Sequence, residues 1–295
     1  MSLRTLTLFV ISIFSMSAAG AALAGLPKGM MIVGYDGDAW YPYIIKSNNS
    51  EWTKVSHLKN PSHLTWQANT GDFYIKGDDG LLYQSNQSSH EVIQIKSNSN
   101  AYTQLRAYGN GVMMVELLAG KSRDTTIVTL DHEHQINKIH HQASAQFHPY
   151  VYKGDLFYAQ VTCRLECDPI IQDVWIKRLT TKNARQLTRL NATSYLHSVD
   201  QDKRFGYISS NQSGYYHIAR VDIETGEIAW LTKGPVTDSF PSVSINGDLF
   251  FTRRTPDGTQ LLRMLDAIDG STGSNLEQIA IPKEIQKIRY LELNH

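Results

Sequence analysis

The sequence predicts an all-β protein: a six-bladed β-propeller of four-stranded antiparallel blades, closed by the C-terminal strand. Charged residues make up only 19% of the chain while aromatic residues reach 10%, a balance that favours strands over helices. The stretch from residue 221 to 254, VDIETGEIAWLTKGPVTDSFPSVSINGDLFFTRR, alternates short strands with turns and leaves no room for a helix. Related stretches recur along the chain, so this one is a copy of a repeating unit.

The repeat is recognised by a turn that is followed by an apolar strand, as in INGDLFFTRR. Comparable segments occur five more times, and successive anchors are 39 to 49 residues apart. This period matches the four-stranded blade of a propeller and is too long for a leucine-rich repeat. The anchors are Gly29, Gly71, Asn110, Gly154, Lys203 and Gly247.

Within a unit, the turns place the remaining strands. The anchored strand is followed by a Gly-containing turn, a third strand such as YYHIARVDI, a second turn, and a fourth strand such as IAWLT. At the second turn of the fifth unit, Asp222 can accept backbone hydrogen bonds and Gly226 can take the positive-φ position. These elements predict four antiparallel strands in each blade.

The two ends of the predicted domain, residues 25–295, complement each other. The first unit starts at its second strand, GMMIVGY, and the alternating segment 285–295, IQKIRYLELNH, has no partner in its own unit. Pairing the second segment with the first closes the ring and covers both sheet edges. We therefore expect the C-terminal strand to join the first blade.

Residues 1–24 have the pattern of a secretory signal peptide. One positive charge at Arg4 precedes an apolar run, and small residues lead to Ala22-Leu23-Ala24, after which cleavage is predicted. The alternative is an uncleaved membrane anchor, although Ser and Gly interrupt the run. We expect export to the periplasm or secretion, with no stable membrane span after cleavage.

The two cysteines, Cys163 and Cys167, stand close together in CRLEC. In an exported protein such a pair most often forms a disulfide that closes one loop. The alternatives are a redox pair, whose usual spacing is C-x-x-C, and a metal site, which needs further ligands. The fourth unit is the longest, and its excess length lies in this loop, which is either a specificity loop or a tolerated insertion.

The best-preserved unit, residues 215–258, resembles the TolB-type β-propeller repeat. In that family a unit reads as a strand, D-x-x-T/S-G, an apolar strand ending in L-T, then P-x-x-S, a turn and F-x-S/T-x-R. The residues that follow this pattern are Asp222, Thr225, Gly226, Leu231, Thr232, Pro241, Ser244, Phe250, Phe251 and Arg253. The resemblance implies a six-bladed ring in the periplasm, here without the small α/β domain that TolB proteins carry, and it does not carry over the partners of the Tol system.

Propeller sites usually lie at one mouth of the central channel, on the inner strands and their loops. Alignment of the units places one residue from each of five blades at the same position, near the start of the inner strand: Thr65, Gln104, His148, His197 and Pro241. The two adjacent histidines could bind a metal through neutral nitrogen, or an anion when protonated. Alternatively, they hydrogen-bond to neighbouring loops.

A denser histidine group lies in DHEHQINKIHHQ, where His132 and His134 could hold a metal with Asp131 or Glu133. The repeat alignment, however, places this pair in the turn between the third and fourth strands, where a solvated polar turn is the simpler interpretation.

The sequence favours a non-catalytic binding or scaffold protein for a protein partner or another cell-envelope ligand. Equal numbers of basic and acidic residues, 28 of each, argue against nucleic acid as a partner. The chain has no G-x-S-x-G motif, P-loop or dinucleotide fingerprint. The alternative is a metal-assisted lyase or hydrolase that uses His148 and His197 on a small polar substrate. The cofactor is left open, and we expect a monomer.

Overall fold

The computed structural model describes residues 25–294 except 49–50, 78, 80, 89, 96–100, 119–123, 164–169, 266 and 268–275. The predicted signal peptide, residues 1–24, and Cys167 lie outside this part of the chain. Within it, no helix is long and apolar enough to cross a membrane.

The described residues form 24 strands in six antiparallel sheets of four, one for each predicted blade. Blade 1 contains β1 (Met30–Tyr35), β2 (Trp40–Ile44) and β3 (Thr53–Lys54). Blade 2 contains β4 (His63–Gln67), β5 (Asp72–Lys76), β6 (Leu82–Asn86) and β7 (Val92–Ile95). Blade 3 contains β8 (Ala101–Tyr108), β9 (Gly111–Leu117), β10 (Thr125–Leu130) and β11 (Ile136–His141). Blade 4 contains β12 (Gln146–Tyr152), β13 (Asp155–Cys163), β14 (Ile171–Arg178) and β15 (Ala184–Gln186). Blade 5 contains β16 (Ser194–Val199), β17 (Phe205–Ser210), β18 (His217–Asp222) and β19 (Ile228–Trp230). Blade 6 contains β20 (Thr237–Val243), β21 (Leu249–Thr255), β22 (Gly258–Met264) and β23 (Leu276–Gln278).

The last strand, β24 (Lys287–Leu293), completes blade 1 in the order β24-β1-β2-β3. It pairs antiparallel with β1, with Met30 opposite Leu293 and Ile32 opposite Leu291. The predicted closure is therefore confirmed, and β24 is the inner strand of blade 1. In blades 2 to 6 the first strand of each unit is the inner one.

The hydrophobic core is divided among the seams between blades. Each of the six buried clusters in the described residues joins two neighbouring blades. At the seam between blades 6 and 1, for example, Phe250 and Leu261 pack with Ile32 and Leu291. Alternating strands bury apolar side chains on both faces, so each blade needs both neighbours to cover its faces.

The turn predicted at the end of the third strand is present in blade 5. The Asp222 carboxylate accepts hydrogen bonds from the backbone N–H groups of Glu224 and Thr225, at 3.0 and 2.9 Å. Gly226 follows with φ of 79°, a left-handed conformation that glycine adopts without steric cost.

Candidate functional site

A cavity of about 280 Å³ lies at one mouth of the channel. All six inner strands contribute to its lining, β4 with its first residues and the others with internal residues. One side chain from each of the strands β4, β8, β12, β16, β20 and β24 shows the arrangement: His63, Gln104, His148, His197, Phe240 and Tyr290. We call this space the channel-mouth cavity.

β-Bulges direct the lining residues towards this cavity. The ladder register shifts in five inner strands, and the extra residues are Gln104-Leu105, His148-Pro149, His197, Phe240-Pro241 and Arg289. At least one extra residue of every bulge lines the cavity. A bulge bends the strand and re-aims the side chain beside it, which is why these devices occur next to binding sites.

Three bulge residues hold a backbone conformation that is uncommon for non-glycine residues. Gln104, His148 and Phe240 have φ values of 55°, 50° and 58°. Such conformations persist only where their surroundings fix them, and they concentrate at functional sites. Here the His148 N–H donates to Gln104 Oε1 at 2.6 Å and ties the bulges of blades 3 and 4 together.

This contact also sets the tautomer of His148. Gln104 Oε1 accepts a hydrogen bond from the His148 backbone N–H, so the side-chain NH₂ group of Gln104 faces the ring of His148. Gln104 Nε2 lies 3.3 Å from His148 Nε2 and donates a hydrogen bond to it. His148 Nε2 therefore accepts, and the ring proton sits on Nδ1. Burial lowers the pKa of His148 to about 4, with further lowering by Arg106 and His63, so the ring is neutral at pH 7.

His197 carries an unsatisfied polar atom at the site. The side chain is buried, and its Nε2 has no hydrogen-bond partner among the described residues. Burial, together with His148 and Arg106, holds the pKa of His197 well below its usual value, so its ring is also neutral. A buried neutral nitrogen without a partner is costly, and a bound ligand or water would satisfy it.

Beneath the histidines lies a buried ion pair. Arg106 Nε is 3.3 Å from Glu292 Oε1, and Arg106 Nη2 donates to the carbonyl of His197 at 2.6 Å. Thr65 Oγ1 lies 3.0 and 2.9 Å from the two Glu292 oxygens. Burial raises the pKa of Glu292, while Arg106, Thr65 and the Asn294 side chain act in the opposite direction.

Aromatic rings pack around the two histidines. His148 lies 4.1 Å from Tyr195 between ring centroids, His197 lies 5.5 Å from Phe240, and Phe240 lies 5.3 Å from Tyr290. Burial raises the pKa of both tyrosines, which are therefore neutral phenols at pH 7. The cavity thus combines apolar ring surface with neutral imidazoles and the guanidinium groups of Arg106 and Arg289, and a few polar or charged groups among apolar ones are usual in a small-ligand site.

The structure brings Gln104, His148 and His197 together as the sequence predicted, but it places Thr65 elsewhere. Thr65 is fully buried and does not line the cavity, and its Oγ1 bonds to Glu292 instead. In blade 6, Phe240, and not Pro241, is the positive-φ residue that lines the cavity, so the alignment was one residue off there.

Sequence reasoning missed the charged pair altogether. Arg106 lies two residues after Gln104 on β8, and this spacing could have identified it, because residues two apart on a strand share a face. Glu292 lies on the closing strand, which is outside the aligned units. The alignment therefore gives Glu292 no position equivalent to those of Gln104, His148 and His197.

The other predicted features lie away from the cavity. His132 and His134 lie in the turn between β10 and β11, as predicted, and His134 Nε2 contacts Gln84 Oε1 at 2.8 Å. Cys163 ends β13, while Cys167 lies outside the described residues, so the disulfide stays a prediction. Among the described residues, no group of three or more His, Cys, Asp or Glu side chains is placed to hold a metal ion.

Neither a protein-family model nor a curated protein matches this chain. Solved structures do match its fold. A putative TolB from Agrobacterium tumefaciens is 13% identical with a TM-score of 0.62, and the match covers 77% of this chain and 83% of that one. TolB from Acinetobacter baumannii is 14% identical with a TM-score of 0.66, over 89% of this chain and 65% of that one, which is under two thirds of its length.

An oligogalacturonate lyase in complex with manganese is 12% identical with a TM-score of 0.54, over 88% of this chain and 77% of that one. At these identities the likeness shows the fold alone. The chain has the six-bladed fold of the TolB-type β-propellers, as the repeat of residues 215–258 predicted.

Proposed function

We propose that this chain is an exported, non-catalytic binding or scaffold protein that receives a cell-envelope ligand or a partner's side chain in the channel-mouth cavity. Export to the periplasm, or secretion, is supported by the signal-peptide pattern of residues 1–24. The TolB-type fold supplies a rigid ring on which loops and bulges can present binding groups.

The observation that carries this proposal is the unpaired Nε2 of buried His197 in a cavity lined from all six blades. The neutral histidines offer hydrogen-bonding nitrogen without charge, and the ion pair of Arg106 and Glu292 fixes the cavity floor. These groups are arranged to hold a polar group among aromatic rings.

The test is affinity capture from envelope extracts with the purified mature protein as bait. We expect a reproducible partner or ligand that is lost from a His148→Ala/His197→Ala variant. The matched control is His132→Ala/His134→Ala, which removes two histidines from an outer turn and should leave capture unchanged. Because buried substitutions can unfold a protein, His197→Gln serves as a second, size-conserving variant, and thermal unfolding is followed for all four proteins.

Equal capture by wild type and by both folded channel variants would contradict the proposal. Elemental analysis of the same preparations addresses the metal-assisted alternative. Stoichiometric metal in the wild type, lost in the channel variants, would favour that alternative over the binding function.

A further inference from the structure

A second cavity, of about 710 Å³, lies on blade 5 between the turn after β17 and the segment after β19. No feature of the repeat pattern or of the channel accounts for it. We call it the blade-five cleft, and the residues that matter for its chemistry are Gln212, Ser213, Tyr215, His217, Trp230 and Lys233.

The blade-five cleft opens at the same end of the ring as the channel mouth. In an antiparallel blade, the turn after the second strand and the exit of the fourth strand emerge where the first strand begins. Residues 61–64, at the start of the inner strand β4, line the channel-mouth cavity at that end. Two rings lie between the sites: Tyr216, next to Tyr215 and His217 in the chain, stacks on Tyr195 at 6.1 Å, and Tyr195 lies 4.1 Å from His148.

The cleft displays two aromatic side chains to solvent. Tyr215 is 48% exposed on its turn, and Trp230 is half-buried at the end of β19. The Tyr215 ring lies 6.5 Å from the His217 ring. Large rings are normally covered, so an exposed tyrosine beside a tryptophan in a concave site provides flat apolar surface for a ligand.

At the inner wall of the cleft, His217 has a polar atom in need of a partner. The side chain is 4% exposed, and Nδ1 makes no hydrogen bond with any described residue. Burial lowers the pKa of His217 below its usual value. Asp238 raises this pKa and Arg253 lowers it further, so the ring is neutral at pH 7. A ligand that reaches the wall must therefore offer a hydrogen bond to an uncharged imidazole.

Charge further narrows the ligand class. Of the described residues that line the cleft, Lys233 alone is charged, and none is a carboxylate. A cation would meet repulsion without a counter-charge, and a single exposed lysine is a weak anion site. An uncharged ligand with both apolar and hydroxyl surface fits these groups best.

We propose that the blade-five cleft binds the ring of a neutral sugar. A pyranose has a face of C–H groups, which packs on the rings of Tyr215 and Trp230, and a rim of hydroxyls that meets Gln212 and Ser213. A hydroxyl both donates and accepts, so it satisfies His217 Nδ1 in either tautomer. A proline-rich peptide, the other common occupant of aromatic grooves, brings carbonyl acceptors but no prolyl N–H, so it satisfies only one tautomer.

This inference is independent of the ligand proposed for the channel-mouth cavity. It is tested by saturation-transfer NMR on the full mature chain with N-acetylglucosamine, glucose, galactose and mannose, each alone, and with decaproline as the peptide probe. At least one sugar should receive saturation and bind with a millimolar Kd, typical for a small ligand on an exposed platform.

Tyr215→Ala is expected to weaken that binding about tenfold or abolish it, because it removes a stacking surface from an exposed turn. Ile245→Ala is the matched control, since Ile245 is 61% exposed in the turn after β20, at the opposite end of the ring. The His148→Ala/His197→Ala variant should bind the sugar like the wild type, which separates this site from the channel mouth. The proposal is overturned if none of the four sugars binds, if Tyr215→Ala leaves sugar binding intact, or if only decaproline binds in a Tyr215-dependent manner.

Discussion

Replacing Glu292 with glutamine is the most direct test of the buried ion pair beneath the channel mouth. The Glu292 side chain is fully buried, and that of Arg106 is 12% exposed. The substitution keeps the size of the side chain and an oxygen for Thr65, but it leaves the Arg106 guanidinium without its counter-charge. Glu292→Gln therefore isolates the charge from the packing.

The magnitude follows from the burial of both groups. Removing one partner of a buried pair costs about 3–5 kcal/mol, because the remaining charge stays out of water. Glutamine retains the contact with Thr65, so we expect a loss at the lower end, about 3 kcal/mol of unfolding free energy. This loss is measured by urea denaturation at pH 7, followed by circular dichroism and tryptophan fluorescence.

Glu284→Gln is the matched control, because the same substitution is made at an exposed glutamate a few residues before β24. It should change the unfolding free energy by less than about 0.5 kcal/mol. The double variant Arg106→Met/Glu292→Met should be more stable than Glu292→Gln, since it removes the uncompensated charge. If Glu292→Gln stays within the range of the control, the ion pair does not contribute as described.

The remaining predictions concern closure, pH, the cysteines and export. Deleting residues 285–295 removes the strand that completes blade 1, so we expect aggregation or a lower melting temperature; an unchanged melting temperature contradicts closure. The folded-state pKa of His148, about 4, lies below its ordinary value of 6.5, so the unfolded chain binds protons first and stability falls as the pH drops from 6.5 towards 4. Between pH 6.5 and pH 4, the unfolding free energy of His148→Gln should therefore fall by about 3 kcal/mol less than that of the wild type, as measured by denaturation at several pH values. Equal falls in the two proteins would refute this. Without reductant, alkylation should add no mass at Cys163 or Cys167; two alkylated thiols would exclude the disulfide. Intact mass of the exported protein should show cleavage after Ala24, whereas a full-length mass indicates a membrane anchor.

The fold was predictable because its signals are local and repeated. The turn chemistry of Asp222 and Gly226 recurs with a blade-length period, and each copy of the unit supplies independent evidence. Closure was predictable because β1 and the C-terminal segment each lacked a partner.

The site was only partly predictable, because its geometry depends on register. His148 and Gln104 fall at equivalent positions, but the bulges that turn them inward leave no clear mark in the sequence. Phe240 was therefore displaced by one residue in the alignment, and Thr65 proved to be buried against Glu292 outside the cavity lining. The contacts of Glu292 with Arg106 and Thr65 could not be inferred because they depend on which face of β24 is turned to the neighbouring inner strands.

The position of β24 in blade 1 has a consequence for how the molecule assembles. The carboxylate that neutralises Arg106 lies on the last strand in chain order, so a chain that emerges from its N-terminus carries an unbalanced guanidinium until that strand is in place. Ring closure, completion of the core at the seam of blades 6 and 1, and formation of the cavity floor therefore all depend on the same strand, β24. Partly synthesised or C-terminally clipped chains lack a finished channel-mouth cavity, so the binding that we propose for it requires the intact C-terminal strand.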